Sequence, residues 1–315
     1  MVRNMVITVT LNPALDKTLT IDNFTLGTVN RVSNIRYDIG GKGINVSKVL
    51  KNFNIASVST GFLGGVWEKH FLQELNSREI ETKFVHIKNS TRTNTKVVDN
   101  LNKVYTDINE AGPFISDGEL NDFMETFNSL CSKDDIVVLS GGVSTSIPLD
   151  IYGRLIKIAK EKGAVTILDA EGQLLEEGIK EKPDVIKPNI QELSKLMNLD
   201  DESEDAIVKA ARKLIEGGIK KILVSLGDKG AIYITEKGVY GCEGLKVPVR
   251  STVGAGDSMV AALVYSLRNS LSEEETLQFA NACGAASVSL EGTEACTLNQ
   301  VKQLLDKIIV SIKEA

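Results

Sequence analysis

Histidine is scarce in this chain: two among 315 residues, His70 and His86, both in polar surroundings. With no paired nucleophile signature beside them, they read as exposed surface residues, and histidine-based hydrolysis is set aside. Cysteine is scarce as well. Cys131, Cys242, Cys283 and Cys296 stand far apart with no CxxC pair, which argues against a structural zinc site or disulfide framework and fits a reducing cytoplasm. No run of about 18 apolar residues occurs, which excludes a spanning helix. The opening MVRNMVITVTLNPALD lacks the apolar core and cleavage-type ending of a signal peptide. Basic blocks are missing too. Thirty-six Lys and Arg against 42 Asp and Glu give a net charge of −6, so nucleic acid and membrane surfaces are poor partners. Any anionic ligand must be held by a few local groups.

What is present is a length about twice that of a typical domain and 42% hydrophobic residues, enough for a sizeable core. Short Val- and Ile-rich runs predict strands at Met5–Thr10, Ala56–Gly61, Ile136–Leu139, Val165–Leu168, Val185–Ile186 and Ile222–Ser225. Helical periodicity separates them. One helix, over Ile44–Asn54, places Val46, Val49, Leu50 and Phe53 on one face; another places Ile207, Ala210, Ala211, Leu214 and Ile215 together. Strand–helix–strand succession requires crossovers, hence an α/β fold with a mostly parallel sheet covered by helices on both faces. Ligands in such sheets sit beyond the carboxyl ends of the strands. Two stretches, 15–37 and 84–109, break this rhythm with Thr- and Val-rich alternation. They predict antiparallel hairpins forming a small β lid, with an extra edge to the main sheet as the alternative.

Two Gly-rich segments lead into helices. In STVGAGDSMVAALVYSL, Gly254, Ala255 and Gly256 permit a sharp turn and close backbone approach to a ligand, and Asp257 falls in the first helical turn. A helix N-terminus offers unpaired N–H donors and a positive dipole end to phosphate oxygens. Asp257 there has two readings: a helix cap, or a general base taking a proton from an alcohol while the adjacent amides stabilise a transferring phosphoryl group. Near the start, GGKGINVS brings Gly40 and Gly41 to a helix start beside Lys42 and Asn45, either of which can contact a sugar hydroxyl or phosphate. The glycine pattern at 254–256 is neither that of a P-loop nor that of a dinucleotide-binding turn.

With GGKGINVS at 40–47 and TVGAGDSMVA at 252–261, in this order and some two hundred residues apart, the chain resembles the ribokinase-like PfkB carbohydrate kinases over essentially its whole length. Ser47, where relatives often carry alanine, is a small departure outside the chemistry. The resemblance implies a single ribokinase-like domain, residues 1–315, of three layers with a β-sheet lid; ATP and Mg²⁺ as cofactors; K⁺ activation by resemblance only; and a homodimer joined through the lid. It implies Asp257 as the base and the amides from Gly254 to Asp257 as the phosphoryl cradle. Asp16, in TLNPALD, is carried over as a binder of sugar hydroxyls. In IKPN with Glu192 following, Lys187 would approach the nucleotide phosphates, and Asn189 and Glu192 would orient Mg²⁺ directly or through water. Without the resemblance, Asn189 and Glu192 are a capping pair. VSLGDKG, with Ser225, Gly227 and Gly230, looks like the nucleotide-ribose loop; Thr252 belongs to the same nucleotide side, and Asn281 sits where the family walls the adenine pocket. Arg92, in TRTNTK, offers a planar fork suited to a phosphate already on the substrate, making a sugar phosphate the expected small-molecule partner. Arg31 and Lys42 are further candidates for phosphate contacts. The competing class is a non-catalytic sugar-phosphate sensor on the same scaffold, which would have no need of a base.

Overall fold

A computed structural model describes residues 4–314; Met1, Val2 and Arg3, part of the opening run considered for a targeting segment, lie outside the described residues. The chain begins with β1 (Val6–Thr10), the hairpin strands β2 (Ala14–Ile21) and β3 (Val32–Gly40), helix α1 (Lys42–Asn52) and β4 (Ser57–Gly64). Helix α2 (Glu68–Ser77) leads to β5 (Glu81–Ile87), a second hairpin of β6 (Arg92–Asp99) and β7 (Val104–Ile108), and α3 (Asp117–Leu130). Strand and helix then alternate: β8 (Ile136–Ser140), α4 (Ile151–Glu161), β9 (Val165–Asp169), α5 (Gly172–Lys180) and β10 (Val185–Ile186). Helices α6 (Ile190–Met197) and α7 (Glu204–Glu216) precede β11 (Lys221–Ser225), β12 (Ala231–Thr235) and β13 (Gly238–Cys242). Helices α8 (Ala255–Asn269), α9 (Glu273–Val288) and α10 (Leu298–Leu305) and strand β14 (Val310–Glu314) follow.

The large sheet runs β14-β13-β12-β11-β10-β9-β8-β1-β4-β5. From β5 to β11 neighbours are parallel, while β12, β13 and β14 add an antiparallel edge. Alternation along each strand sorts side chains to two faces. Ile7, Val9, Val137, Leu139, Ile222 and Val224 join a core with Ile151 and Leu155 of α4 and Ile207 of α7. Val6, Ile136, Val138 and Leu223 point the other way, to Val46 and Leu50 of α1, Val260 of α8 and Ala280 of α9. The faces expected for Val46, Val49, Leu50 and Phe53, and for Ile207, Ala211 and Ile215, are the buried ones. Ser47 is buried in a hydroxyl chain, 2.7 Å from Thr8 and 2.9 Å from Ser57.

The small sheet is ordered β3-β2-β6-β7, with antiparallel outer pairs and a parallel β2–β6 centre. Its bounds correct the sequence reading. Phe84–Ile87 belongs to β5, the edge of the large sheet, where Phe84 pairs with Gly61; an edge strand with one solvated face alternates as a lid strand would, so pattern alone does not separate the two. A third cluster, Leu15, Ile39, Ile44, Phe71 and Leu75, packs the root of the small sheet against α1 and α2.

Candidate active site

Asp257 is the third residue of α8, whose N-cap, Gly254, has φ +84° and offers no side chain to the free amides. Five other helices close differently: Ser116, Asn189, Ser203, Ser272 and Thr297 each accept a backbone N–H from their own first turn, while α1, α2, α4 and α5, like α8, start without a side-chain cap. At the α8 start Ala255 N reaches Thr252 O at 3.5 Å, and among the described residues the Gly256 and Asp257 amides have no such partner, which leaves donors at the positive dipole end. Asp257 does not cap it. Its Oδ2 instead accepts a 2.8 Å hydrogen bond from Asn45 Nδ2, which ties the starts of α1 and α8 together.

Behind this pair lies a charge cluster. Asp169, at the end of β9 and 1% exposed, stands 3.2 Å from Lys187 Nζ and 3.3 Å from Lys42 Nζ. Burial favours the neutral acid at Asp169, but Lys187 and then Lys42 overcome it and hold its carboxyl below the ordinary value. Burial likewise opposes charge on Lys42, yet Asp169, Asp257 and Glu192 together raise it. Asp257 is pushed up to about 6, by burial first and by the nearby Asp169 charge second, against the pull of Lys42, Asn45 and Lys187. A Cβ on Gly256 would lie 3.4 Å from Lys187 Nζ, so that ammonium sits directly against the start of α8.

The small sheet brings a second group. Asp16 on β2 faces Asp38 of β3 and Asn94 of β6 across the ladders, and Asn94 Nδ2 donates to Asp16 Oδ1 at 3.2 Å. Burial raises the Asp16 pKa, opposed by Asn94, Lys48 and Arg92. Gly40 packs on the Asp16 carboxylate, and Gly41 (φ +129°) on Thr10, so the loop before α1 lies flat against β1 and β2. Arg92, at the start of β6, donates to Glu110 O at 2.8 Å and Asn12 O at 3.2 Å. Asn12 Oδ1, Asn94 Oδ1 and Arg92 Nε are buried with no partner among the described residues, a set of polar atoms suited to a hydroxylated, anionic ligand.

The residues expected on the nucleotide side form a third group. Ser225 ends β11 and bridges to Asn189; Gly230 packs against the backbone at Cys242–Gly244; Asn281 Nδ2 donates to Glu243 O at 2.8 Å. Gly227, also left-handed, lies in the turn between Ser225 and Gly230, and Thr252 is exposed just ahead of α8. Asn189 and Glu192 form the reciprocal capping box, each bond 2.8 Å. The box engages Asn189 Oδ1 and Glu192 Oε2, and each oxygen keeps a second lone pair, so capping is compatible with the Mg²⁺ role expected for the pair. Glu192 Oε1 stays outside the box, near enough to Lys42 to raise its pKa, which fits Mg²⁺ held through water. Arg31 falls outside all three groups. It is exposed beyond the end of the β2–β3 ladder where Ile21 faces Val32, seven residues and about 23 Å from the Ala14–Gly40 end; within one chain it is not a phosphate contact of this site.

Asp169, Asn12, Asn94 and Lys48 were not singled out by sequence reasoning. Asp169 carried a usable signal, an acid closing the apolar run VTIL at a strand's carboxyl end.

A three-layer α/β scaffold here brings together an uncapped helix start, a buried carboxylate beside it and clustered lysines, a set of groups fitted to phosphoryl transfer. Residues 7–300 match the pfkB family of carbohydrate kinases. The chain is 36% identical over 307 residues to the 1-phosphofructokinase of Bacillus subtilis, covering 98% of this chain and 99% of that protein. It is 36% identical over 309 residues to the tagatose-6-phosphate kinase of Staphylococcus epidermidis, covering 97% and 99%. Among solved structures, phosphofructokinase-2 from Escherichia coli in complex with potassium superposes with a TM-score of 0.91 at 27% identity, covering 96% and 98%. The chain belongs to the pfkB family of carbohydrate kinases, and is an ATP-dependent phosphotransferase with an alcohol acceptor. Among the described residues, no helix is long and apolar enough to cross a membrane.

Proposed function

We propose that the protein transfers the γ-phosphoryl group of ATP to the 6-hydroxyl of D-fructose 1-phosphate, giving fructose 1,6-bisphosphate and ADP. The observation that carries the chemistry is Asp257: buried, held by Asn45 at one oxygen, and placed beside the open amides of α8. Asp257 takes the hydroxyl proton as the O6–P bond forms and the bond from the γ-phosphorus to the β,γ-bridging oxygen breaks. The amides from Gly254 to Asp257 receive the oxygens of the migrating group, and Lys42 and Lys187 offset the charge of two phosphorylated reactants. Mg²⁺, when bound, screens the β- and γ-phosphates; Glu192 Oε1 would hold it through water. Ser225, Gly227, Gly230, Thr252 and Asn281 are assigned to the nucleotide.

Asp16, Gly40, Gly41 and Asn45 are assigned to the sugar, and Arg92 to its existing phosphate, with the small sheet as a lid that excludes water. Tagatose 6-phosphate is the second reading, because the Staphylococcus epidermidis enzyme is as similar as the Bacillus subtilis one. A coupled ADP-release assay over both sugar phosphates and free fructose tests the assignment. A kcat/KM at least about tenfold higher for fructose 1-phosphate is expected. Preference for tagatose 6-phosphate overturns the substrate, and no ADP with any acceptor leaves a sensor.

The outer face of the small sheet carries Ile35, Tyr37 and Ile108, each roughly half exposed, and fits the same face of a second copy in a homodimer. Sedimentation should give a dimer that Ile35→Asp dissociates; a wild-type monomer at assay concentration rejects it. The free thiols of all four cysteines support a reducing, cytoplasmic setting. K⁺ activation rests on the likeness to the potassium-bound neighbour and predicts higher turnover in KCl than in NaCl.

A further inference from the structure

Lys48 lies on α1, one turn beyond Asn45, with 6% of its surface exposed. Its Nζ donates to Ile39 O at 2.5 Å and to Asn45 Oδ1 at 3.5 Å. Both partners are neutral oxygens, an unusual choice for a buried cation, whose desolvation is ordinarily offset by a carboxylate. Ile39 immediately precedes Gly40 and Gly41, and Asn45 holds Asp257. Lys48 therefore joins the sugar-side loop to the carboxylate through a single ammonium.

We propose that Lys48 is a positioning residue for phosphoryl transfer, fixing which end of the Asn45 amide faces Asp257. The two ends of an amide differ chemically: Nδ2 only donates and Oδ1 only accepts. With the ammonium beside Oδ1, flipping Asn45 would place Nδ2 against Nζ and Oδ1 against the Asp257 carboxylate, two repulsive contacts for two attractive ones. Lys48 thereby keeps Nδ2 on Asp257 Oδ2 and leaves the other carboxylate oxygen for the acceptor hydroxyl. Orientation of this kind acts on turnover. The charged groups around Lys48 are Arg78, which works with burial to bring its pKa down to about 8, and Asp38, Asp16 and Glu74, which oppose that. Those acting on Asp257 are Asp169, Lys42 and Lys187.

The inference rests on Asp257 as the base, and the test separates the two. In Lys48→Met, kcat at saturating sugar phosphate should fall about tenfold, the KM for ATP should stay within twofold, and the acid limb of the pH–rate profile should move to higher pH, since the ionised carboxylate loses an ordered donor. Lys48→Met combined with Asn45→Ala should be no more than about twofold slower than the slower single variant, because both act on one contact. Factors that multiply, or an unmoved acid limb, overturn the role of Lys48. If Lys48→Met is not recovered folded, Lys48→Arg serves: a cavity of about 280 Å³ beside Lys48, bounded by Tyr37, Asp38, Glu74 and Arg78, gives the longer cation room. Its kcat should stay within about threefold of wild type, and a loss as large as that of Asn45→Ala overturns the role. Normal turnover in Asp257→Asn would instead reject the base itself, whatever Lys48 does.

Discussion

Asn45 Nδ2 donates to Asp257 Oδ2 at 2.8 Å across 212 residues of chain, joining the two Gly-rich helix starts into one site. Asp257→Asn tests what that contact serves. Turnover should fall at least about 10²-fold with the KM for ATP little changed, as expected for loss of a general base. The same variant should gain thermal stability at pH 8. A carboxyl whose folded pKa of about 6 exceeds its unfolded value costs stability once both states are ionised, and that cost disappears as pH falls below the unfolded value. Calorimetry should therefore show a Tm higher than wild type by a few degrees at pH 8, with the gap closing towards pH 4.

Turnover of the wild-type enzyme should rise with pH through an acid limb near 6, because Asp257, as the proposed base, must be ionised. Asp169→Asn should move that limb to lower pH. It removes a like charge facing Asp257 and frees Lys42 and Lys187 to act on it, and both changes favour the carboxylate. A limb that moves upward would contradict the ordering of charges described here.

Arg92→Ala should raise the sugar-phosphate KM at least about tenfold, the usual scale for losing a charge-assisted contact, while the KM for ATP stays put. Its guanidinium is anchored on Glu110 O and Asn12 O beside Asp16, with Nε still unpartnered. An effect confined to ATP would reverse the proposed orientation of the two substrates.

Gly254→Ala separates backbone geometry from space. The nearest atom to an added Cβ is Ser287 Oγ at 3.8 Å, so nothing collides, but φ +84° is left-handed. Strain of about 1–2 kcal/mol should appear in denaturant unfolding. Turnover should drop by more than stability does, because relaxing that angle re-aims the amides of α8. Equal, small losses in both would argue against a phosphoryl cradle there.

Much of the large sheet was legible because each strand repeats one local rule. Ile136–Leu139, Val185–Ile186 and Ile222–Ser225 are apolar runs of strand length, and the structure alters their ends by at most one residue. The β12–β13 hairpin and β14 were missed: AIYIT of β12 has the Ile- and Tyr-rich composition of a strand, whereas β13 and β14 mix apolar residues with Gly, Ser, Lys and Glu and are ordered by pairing at the sheet edge. Of the site, the Gly-rich loops and the acid at Asp257 were readable from types and spacing. Lys48 was not, because a lysine within an amphipathic helix reads as an ordinary surface residue; Asp169 carried the signal of an acid at a strand's carboxyl end, but only packing brings Lys42 and Lys187 to it.

By itself the chain of residues determined a parallel α/β layering, through the periods of its apolar positions, and two glycine-rich helix starts. Only the tertiary structure decided that Asp257 turns from its own helix to Asn45, that Asp169 binds two lysines behind it, and that Asn189 and Glu192 spend their near atoms on capping. Local pattern records which surface of an element avoids water. Hydrogen bonds and charge pairs between elements depend on distances set only after those surfaces have packed, so a carboxylate's partner and its pKa belong to the folded molecule.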